Sequence, residues 1–282
     1  MIGYLILAHK NLHQLTRLIR RLQGERSAFF VHVDVKTDMS GHEDELRSLP
    51  RVTLAEERRF CPWGGGLGLI GATRDLMKSA LRDPRVRKLV VLSGQDYPIK
   101  APGHIESFHL AGHPEQSFIE NFRLPRTDWG PRGGMGRIED FYVWLGGRYR
   151  SLHNSRLRIR RKLPYGLKPY QGGQLWSMSR ECAEFVLGYT GSHPRVERFF
   201  KHARNPSESF FQTIVMNSPM AEHVVNDDLR FELWEPDSDH PEILTTRDMP
   251  AMRDSRALIA KKFDTDVDAE VLDLIDQQIL DQ

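Results

Sequence analysis

Tyr4-Leu5-Ile6-Leu7-Ala8-His9-Lys10-Asn11 (residues 4–11) is an unbroken apolar run that stops at a polar turn, and the rest of the chain is read outward from it. Such a run is a strand buried on both faces, with Asn11 expected to cap a following helix. Leu12, Leu15, Leu18, Ile19 and Leu22 then recur at helical spacing, with Arg17, Arg20 and Arg21 on the other face and Gly24 closing the helix. Phe29-Phe30-Val31-His32-Val33 is a second strand ending at Asp34, and residues 52–55 are a weaker third. After Gly64-Gly65-Gly66 a helix is expected from Leu67 to Leu81. Leu89-Val90-Val91-Leu92 is then a buried strand that breaks at Ser93-Gly94-Gln95-Asp96. Strands alternating with helices predict an α/β fold with a mostly parallel sheet and flanking helices. Ligands of such sheets bind beyond the carboxyl ends of the strands. Asp34 and Asp96 are therefore site candidates, with a structural turn or helix cap as the alternative for each.

Composition narrows the class. The 282 residues are 39% hydrophobic and 28% charged, enough for a sizeable core. Forty basic against 38 acidic residues leave a net charge of +2, which excludes nucleic-acid binding through bulk charge. No apolar stretch approaches the roughly 18 residues of a membrane span. The opening run has neither a basic lead nor a cleavage site, so a strand is expected rather than a signal peptide. Two cysteines, Cys61 and Cys182, imply no disulfide framework and point to a reducing, cytoplasmic compartment.

Residues 120–175 are rich in glycine and proline. Arg148, Arg150, Arg156, Arg158, Arg160, Arg161, Lys162 and Lys168 occur there without an acidic residue from 148 to 168. This is either a solvated loop or, with Leu157, Ile159 and Leu163 interleaved, a patch for an anionic membrane surface or lipid-linked substrate. Neither repeats nor a clear linker divide the chain.

The chemistry-bearing patterns are few. Neither Asp34 nor Asp96 has the second carboxylate of an Asp-x-Asp pair, and Asp264, Asp266 and Asp268 lack the rest of a calcium loop. No metal is expected. Gly-x-Ser-x-Gly, Walker and dinucleotide loops are missing, so the triple glycine is read as a tight turn, with amides facing a ligand as the alternative. In Asn205-Pro206-Ser207-Glu208-Ser209-Phe210-Phe211, Ser207 or Asn205 is expected to cap a helix with Glu208 in its first turn. Glu208 is then either a first-turn acid or a general base on a rigid helix start. Ala260-Lys261-Lys262-Phe263-Asp264 follows Arg247, Arg253 and Arg256, and its paired lysines are a surface turn or a counter-charge for a diphosphate.

These segments, taken in order, resemble the core-2/I-branching β-1,6-N-acetylglucosaminyltransferases and peptide O-xylosyltransferases with their bacterial relatives. Tyr4 to Lys10, Val31-His32-Val33-Asp34-Val35-Lys36, Trp63-Gly64-Gly65, Leu92 to Ile99 and Gly172 to Arg180 carry the resemblance. The tail carries it further, through Ser207-Glu208-Ser209-Phe210-Phe211, Leu229-Arg230-Phe231, Trp234, His240-Pro241 and Ala260 to Asp264.

The resemblance implies a single GT-A-type (Rossmann-like) domain over residues 1–282. Residues 1–110 would be a nucleotide-binding half, and 111–282 an acceptor half with a diphosphate-binding tail. It implies an inverting transfer from UDP-GlcNAc or UDP-xylose without metal or other cofactor. Glu208 falls on the catalytic base, and Lys261 and Lys262 on the diphosphate, with Arg230, Arg247 and Arg256 as further basic helpers. Asp34 falls where uridine is held, and His9 belongs to the same donor site. Asp96 falls on donor or acceptor sugar, and Trp176 on the acceptor side of the cleft. The expected partners are a UDP-sugar and a glycan or lipid-linked oligosaccharide, with peripheral contact at the inner membrane face. A metal-dependent enzyme of the same fold and a non-catalytic sugar-binding module are the alternatives. Animal members carry membrane anchors and disulfides, from which the two cysteines set this chain apart.

Overall fold

A computed structural model describes residues 1–152, 160–235, 238 and 240–281. The first half runs β1 Ile2–Ala8, α1 Leu12–Leu22, β2 Ser27–Val33, α2 Glu43–Ser48, β3 Val52–Leu54, α3 Gly68–Leu81, β4 Lys88–Ser93 and β5 Asp96–Pro98. Then follow α4 Pro102–Ser107, β6 Ser117–Phe118, β7 Phe122–Arg123, α5 Gly136–Glu139, the hairpin β8 Tyr142–Leu145 and β9 Arg148–Ser151, and β10 Tyr170–Gln171. The remainder is β11 Ser177–Ser179, α6 Arg180–Ser192, α7 Pro194–Phe200, α8 Phe210–Met216, β12 Val224–Val225, β13 Arg230–Phe231, α9 Met249–Asp254, β14 Ile259–Lys261 and α10 Glu270–Ile275.

Seven strands form the central sheet in the order β12-β6-β11-β4-β1-β2-β3. β1 lies parallel to β2 and β4, and β2 parallel to β3, which is the Rossmann-like half the opening run predicts. β11 is antiparallel to β4 and to β6, so the sheet is mixed at its other end. Alternate residues of β1 feed two cores. Ile2, Tyr4, Ile6 and Ala8 join the core shared with α1, α9 and α10, whereas Leu5 and Leu7 join the one shared with α3, α6 and α8. Because both faces are covered, the pattern is a continuous apolar run rather than an alternating one.

Two expected caps are not formed. α1 begins after Asn11, but Asn11 adopts φ 49° and makes no cap bond. Its amide instead donates to Asp264 Oδ1 at 2.7 Å, in the tail. Pro206–Glu208 is a separate 3₁₀ turn, and α8 starts only at Phe210. Asn205, at φ 43°, points its amide at Glu208 rather than at a helix end. Glu208 therefore closes the 3₁₀ turn and precedes α8.

The tail crosses the strand ends. β14 pairs in parallel with β13 and antiparallel with β5, setting Lys261 opposite Asp96. Phe263 N donates to Gln95 O at 2.9 Å, and Gln95 Nε2 donates back to Phe263 O at 3.0 Å. These bonds carry the Lys261–Lys262 pair to the ends of β1 and β4.

Phe29 is fully buried and stacks on Tyr4 with ring centroids 5.3 Å apart. Phe29→Ala is expected to cost about 3–5 kcal/mol in urea unfolding. Val267→Ala, at a 59% exposed position, should stay within about 0.5 kcal/mol of the parent.

Candidate active site

Two cavities open at the carboxyl ends of the parallel strands. The inner one, of about 270 Å³, is lined by His9, Asp34, Cys61 and Gln95 together with Lys261 and Lys262. Asp34 ends β2 and is 6% exposed; its two oxygens accept from Lys36 N at 2.9 Å and Cys61 N at 2.8 Å. Each oxygen keeps a second lone pair. Burial, then the Lys10 charge, pushes the His9 imidazole below its ordinary value, so at neutral pH it can both donate and accept. Burial drives the Cys61 thiol up to about 12, which removes it as a nucleophile.

The outer cavity, of about 870 Å³, contains Glu208 and shares Trp63, Gln174, Leu175, Lys261 and Lys262 with the inner one. The lysine pair therefore stands at the junction of one continuous cleft. Lys261 Nζ reaches Glu232 Oε1 at 3.2 Å. Among the described residues the Lys262 ammonium has no ion-pair partner. Burial lowers its pKa, and the neighbouring charges of Lys10 and Lys261 lower it further.

Glu208 is held on three sides. Arg137 Nη1 donates to Oε2 at 2.7 Å, Gln171 Nε2 to the same oxygen at 3.0 Å, and Asn205 Nδ2 to Oε1 at 3.1 Å. Its pKa is nevertheless raised, because burial outweighs Arg137 and the amide donors. A fixed carboxylate with an elevated pKa at a cleft wall suits a general base. Its turn is tied to the triple glycine: Asn205 N donates to Gly64 O at 3.0 Å, and Gly65 bridges Arg204. The glycine loop thus positions Trp63 and the Glu208 turn together.

The structure does not bring every predicted residue to the cleft. Trp176 is fully buried against Phe211, with ring centroids 5.2 Å apart. Leu175, the residue before it, takes the place in the cleft wall, since successive residues of an extended segment face opposite sides. Asp96 is also fully buried, accepting from Ser93 Oγ and facing Arg230 Nε at 3.8 Å. β14 covers β5, and Asp96 lines neither cavity. Arg230 does reach the outer cavity, but its side chain is largely buried, with its guanidinium donating to Val91 O at 2.5 Å and to Asp228 O. Arg247 and Arg256 are exposed and line neither cavity.

Other features were not foreseen. Trp129 and Trp234 join Trp63 on the outer cavity, beside the carboxylates Glu120, Asp228 and Glu232. Trp63 and Trp234 stood in quoted motifs, but Arg137 and Gln171 had no local signal. The arginine run is not a uniform patch either. Arg161 is packed over the Phe199 ring at 3.9 Å and donates to the carbonyls of His202 and Phe199, with burial holding its pKa down to about 10. Arg148 and Arg150 are exposed on β9. Arg156, Leu157, Arg158 and Ile159 lie outside the described residues.

Among the described residues, one group of three could share a cation: His13, His42 and Glu45, with ligand atoms within 4.8 Å of one another. It lies outside both cavities, and Glu45 already accepts from Arg20 at 3.0 Å. Asp264 accepts from Lys10 at 2.5 Å, and Asp268 from Thr246 N at 2.9 Å. No described helix is long and apolar enough to cross a membrane.

Comparison with known proteins adds relatives. Xylosyltransferase 2 of the dog, Canis lupus familiaris, is 25% identical over 243 residues, covering 83% of this chain and 26% of that protein. Xylosyltransferase oxt of Drosophila melanogaster is 26% identical over 245 residues, again with 82% and 26% covered. The chain thus spans about a quarter of the length of the curated relatives it matches. Among solved structures, mouse xyloside xylosyltransferase 1 in its apo form aligns with a TM-score of 0.40 and 13% identity, over 92% of this chain and 97% of that one. The model of the Core-2/I-Branching enzyme family matches residues 2–253, nine-tenths of the sequence, and the chain belongs to that family.

Proposed function

We propose that the protein is an inverting, metal-independent glycosyltransferase that moves GlcNAc or xylose from a UDP-sugar to a glycan hydroxyl. The carrying observation is the shared cleft: Glu208 on its outer wall, the lysine pair at its waist and His9 with Asp34 at its inner end. The uridine would lie in the inner cavity and the acceptor in the outer one. We assign the acceptor to bacterial surface polysaccharide, carried on a lipid at the inner membrane face.

In the proposed reaction the acceptor hydroxyl gives its proton to Glu208 as its oxygen attacks the anomeric carbon. The bond from that carbon to the diphosphate oxygen breaks on the opposite face, and UDP leaves with the electron pair. Lys261 and Lys262 compensate the charge that develops on the diphosphate, a task otherwise given to a divalent cation. Arg137, Gln171 and Asn205 keep the Glu208 carboxylate aimed and ionised. The competing reading, a metal-dependent enzyme of the same fold, is separated by chelation.

Glu208→Gln should lower transfer by about 10²–10⁴-fold while UDP binding, read by calorimetry, persists; near-normal turnover would sink the base assignment. Replacing Lys261 and Lys262 together with Ala should weaken UDP binding, and EDTA should leave wild-type transfer unchanged. Loss of transfer on chelation would establish the metal-dependent reading instead.

The base works only when deprotonated, so kcat/KM should rise with pH through the Glu208 pKa. Because burial raises that pKa, the acid limb should fall above the ordinary glutamate value of 4.5. Arg137 pulls in the opposite direction, so Arg137→Gln should move the limb to still higher pH. A limb at or below the ordinary value in both proteins would contradict the assignment.

A further inference from the structure

We propose that the β8–β9 hairpin, with the strand-end rim beside it, is a docking surface for an anionic lipid bilayer. Three separate segments meet there. Val35 and Lys36 follow β2, Phe60 precedes the glycine loop, and Trp144 and Leu145 end β8. Val35 is 51% exposed, Phe60 38%, Trp144 43% and Leu145 59%, an unusual gathering of large apolar side chains in water. Two of them touch: Trp144 meets Phe60 edge-on with centroids 5.7 Å apart, and Lys36 Nζ lies 4.2 Å from the Phe60 ring centroid.

The hairpin turns on Gly146 and Gly147, at φ 62° and 79°, which pairs Leu145 with Arg148 and Val143 with Arg150. Alternation along the strands sets Leu145 on one face of the hairpin with the exposed Arg148 and Arg150, and Trp144 on the other with Tyr149, so the tip carries an exposed apolar side chain on each face and no acidic residue from 142 to 151. Lys36 adds a third cation at the base. Apolar anchors within a cationic skirt match an interface of acyl chains beneath anionic headgroups. That charge complementarity selects the anionic bilayer as the occupant.

The hairpin is also fixed to the cleft. Tyr149 lies against the glycine loop so closely that a Cβ on Gly65 would sit 2.8 Å from its Cγ, and one on Gly66 2.1 Å from its hydroxyl. The same loop leads from Trp63, which lines both cavities. Docking through the tip would hold the cleft mouth near the bilayer, where a lipid-anchored acceptor resides; that last step rests on the proposed function, while the docking itself does not.

The test is co-sedimentation of the full chain with phosphatidylcholine vesicles, with and without about 30% phosphatidylglycerol, at low and at about 0.5 M salt. Binding is expected only with phosphatidylglycerol and only at low salt. Leu145→Glu, and separately Arg148→Glu with Arg150→Glu, should each weaken it by roughly tenfold or more. The UDP-induced thermal shift should be unchanged in both variants, showing that fold and donor site are intact. Absence of phosphatidylglycerol-dependent binding, or binding indifferent to both variants, would overturn the proposal. A Leu145→Glu change in oligomeric state without vesicle binding would also overturn it, assigning the tip to contact between copies. Failure of transfer to a soluble acceptor would count against the proposed function and leave the docking result standing.

Discussion

The short strand Ile259–Lys261, laid antiparallel across Asp96–Pro98, is the contact on which the cleft depends. It joins residues that lie far apart in sequence, and such closure is entropically expensive unless many bonds form at once. They do form. Gln95 and Phe263 exchange two hydrogen bonds, Gln14 Nε2 adds a third to Phe263 O at 3.2 Å, and Lys10 and Asn11 both hold Asp264. Further out, Arg17, Tyr97 and Asp276 are linked, with the Tyr97 hydroxyl 2.8 Å from Asp276 Oδ1. The polar turn after β1 is thus spent on anchoring the tail, which explains why Asn11 has no side chain left for capping α1.

That anchoring concentrates positive charge at the partly buried waist of the cleft. Lys261 and Lys262 are adjacent, Lys10 is near, and burial adds to the strain on Lys262. A site built of like charges is stabilised by a ligand of the opposite sign, and on the proposed reading a diphosphate is that ligand. Glu208 shows the opposite balance. Its burial favours the neutral form, while Arg137 and two amides favour the charged one; burial has the larger effect, and the pKa is raised.

What could be read from sequence follows from the range of the interactions. The parallel strands were legible because both faces of β1, β2 and β4 are apolar, which leaves an unmistakable run. Lys261 and Lys262 were singled out by their pairing, and the cleft in which they stand with Glu208 required the fold. Errors arose where orientation mattered more than residue type. Leu175 lies in the cleft wall and Trp176 behind it, one step apart along an extended segment, and Asp96 is hidden because a distant strand covers it. Proline at 206 and the left-handed backbone at Asn205 turned an apparent helix start into a 3₁₀ turn. Arg137 and Gln171 reach Glu208 from 71 and 37 residues away, inside a glycine-rich stretch without periodicity, so no local pattern could announce them.

The outer cavity has its own asymmetry. Its cations are largely committed: Arg137 to Glu208, Lys261 to Glu232 and Arg230 to backbone carbonyls. Glu120 and Asp228 remain, both with pKa values raised first by burial; Asp228 raises Glu120 further, and Glu232 does the same to Asp228. Adding an anionic group to that wall would deepen an existing repulsion. A neutral polyol would relieve it, because each hydroxyl can donate to a carboxylate, and the half-exposed Trp234 lines the same wall. On the proposed reading, then, the diphosphate and the acceptor are sorted by charge: the anion is drawn to the lysine junction, and the uncharged sugar to the acidic, aromatic wall of the outer cavity.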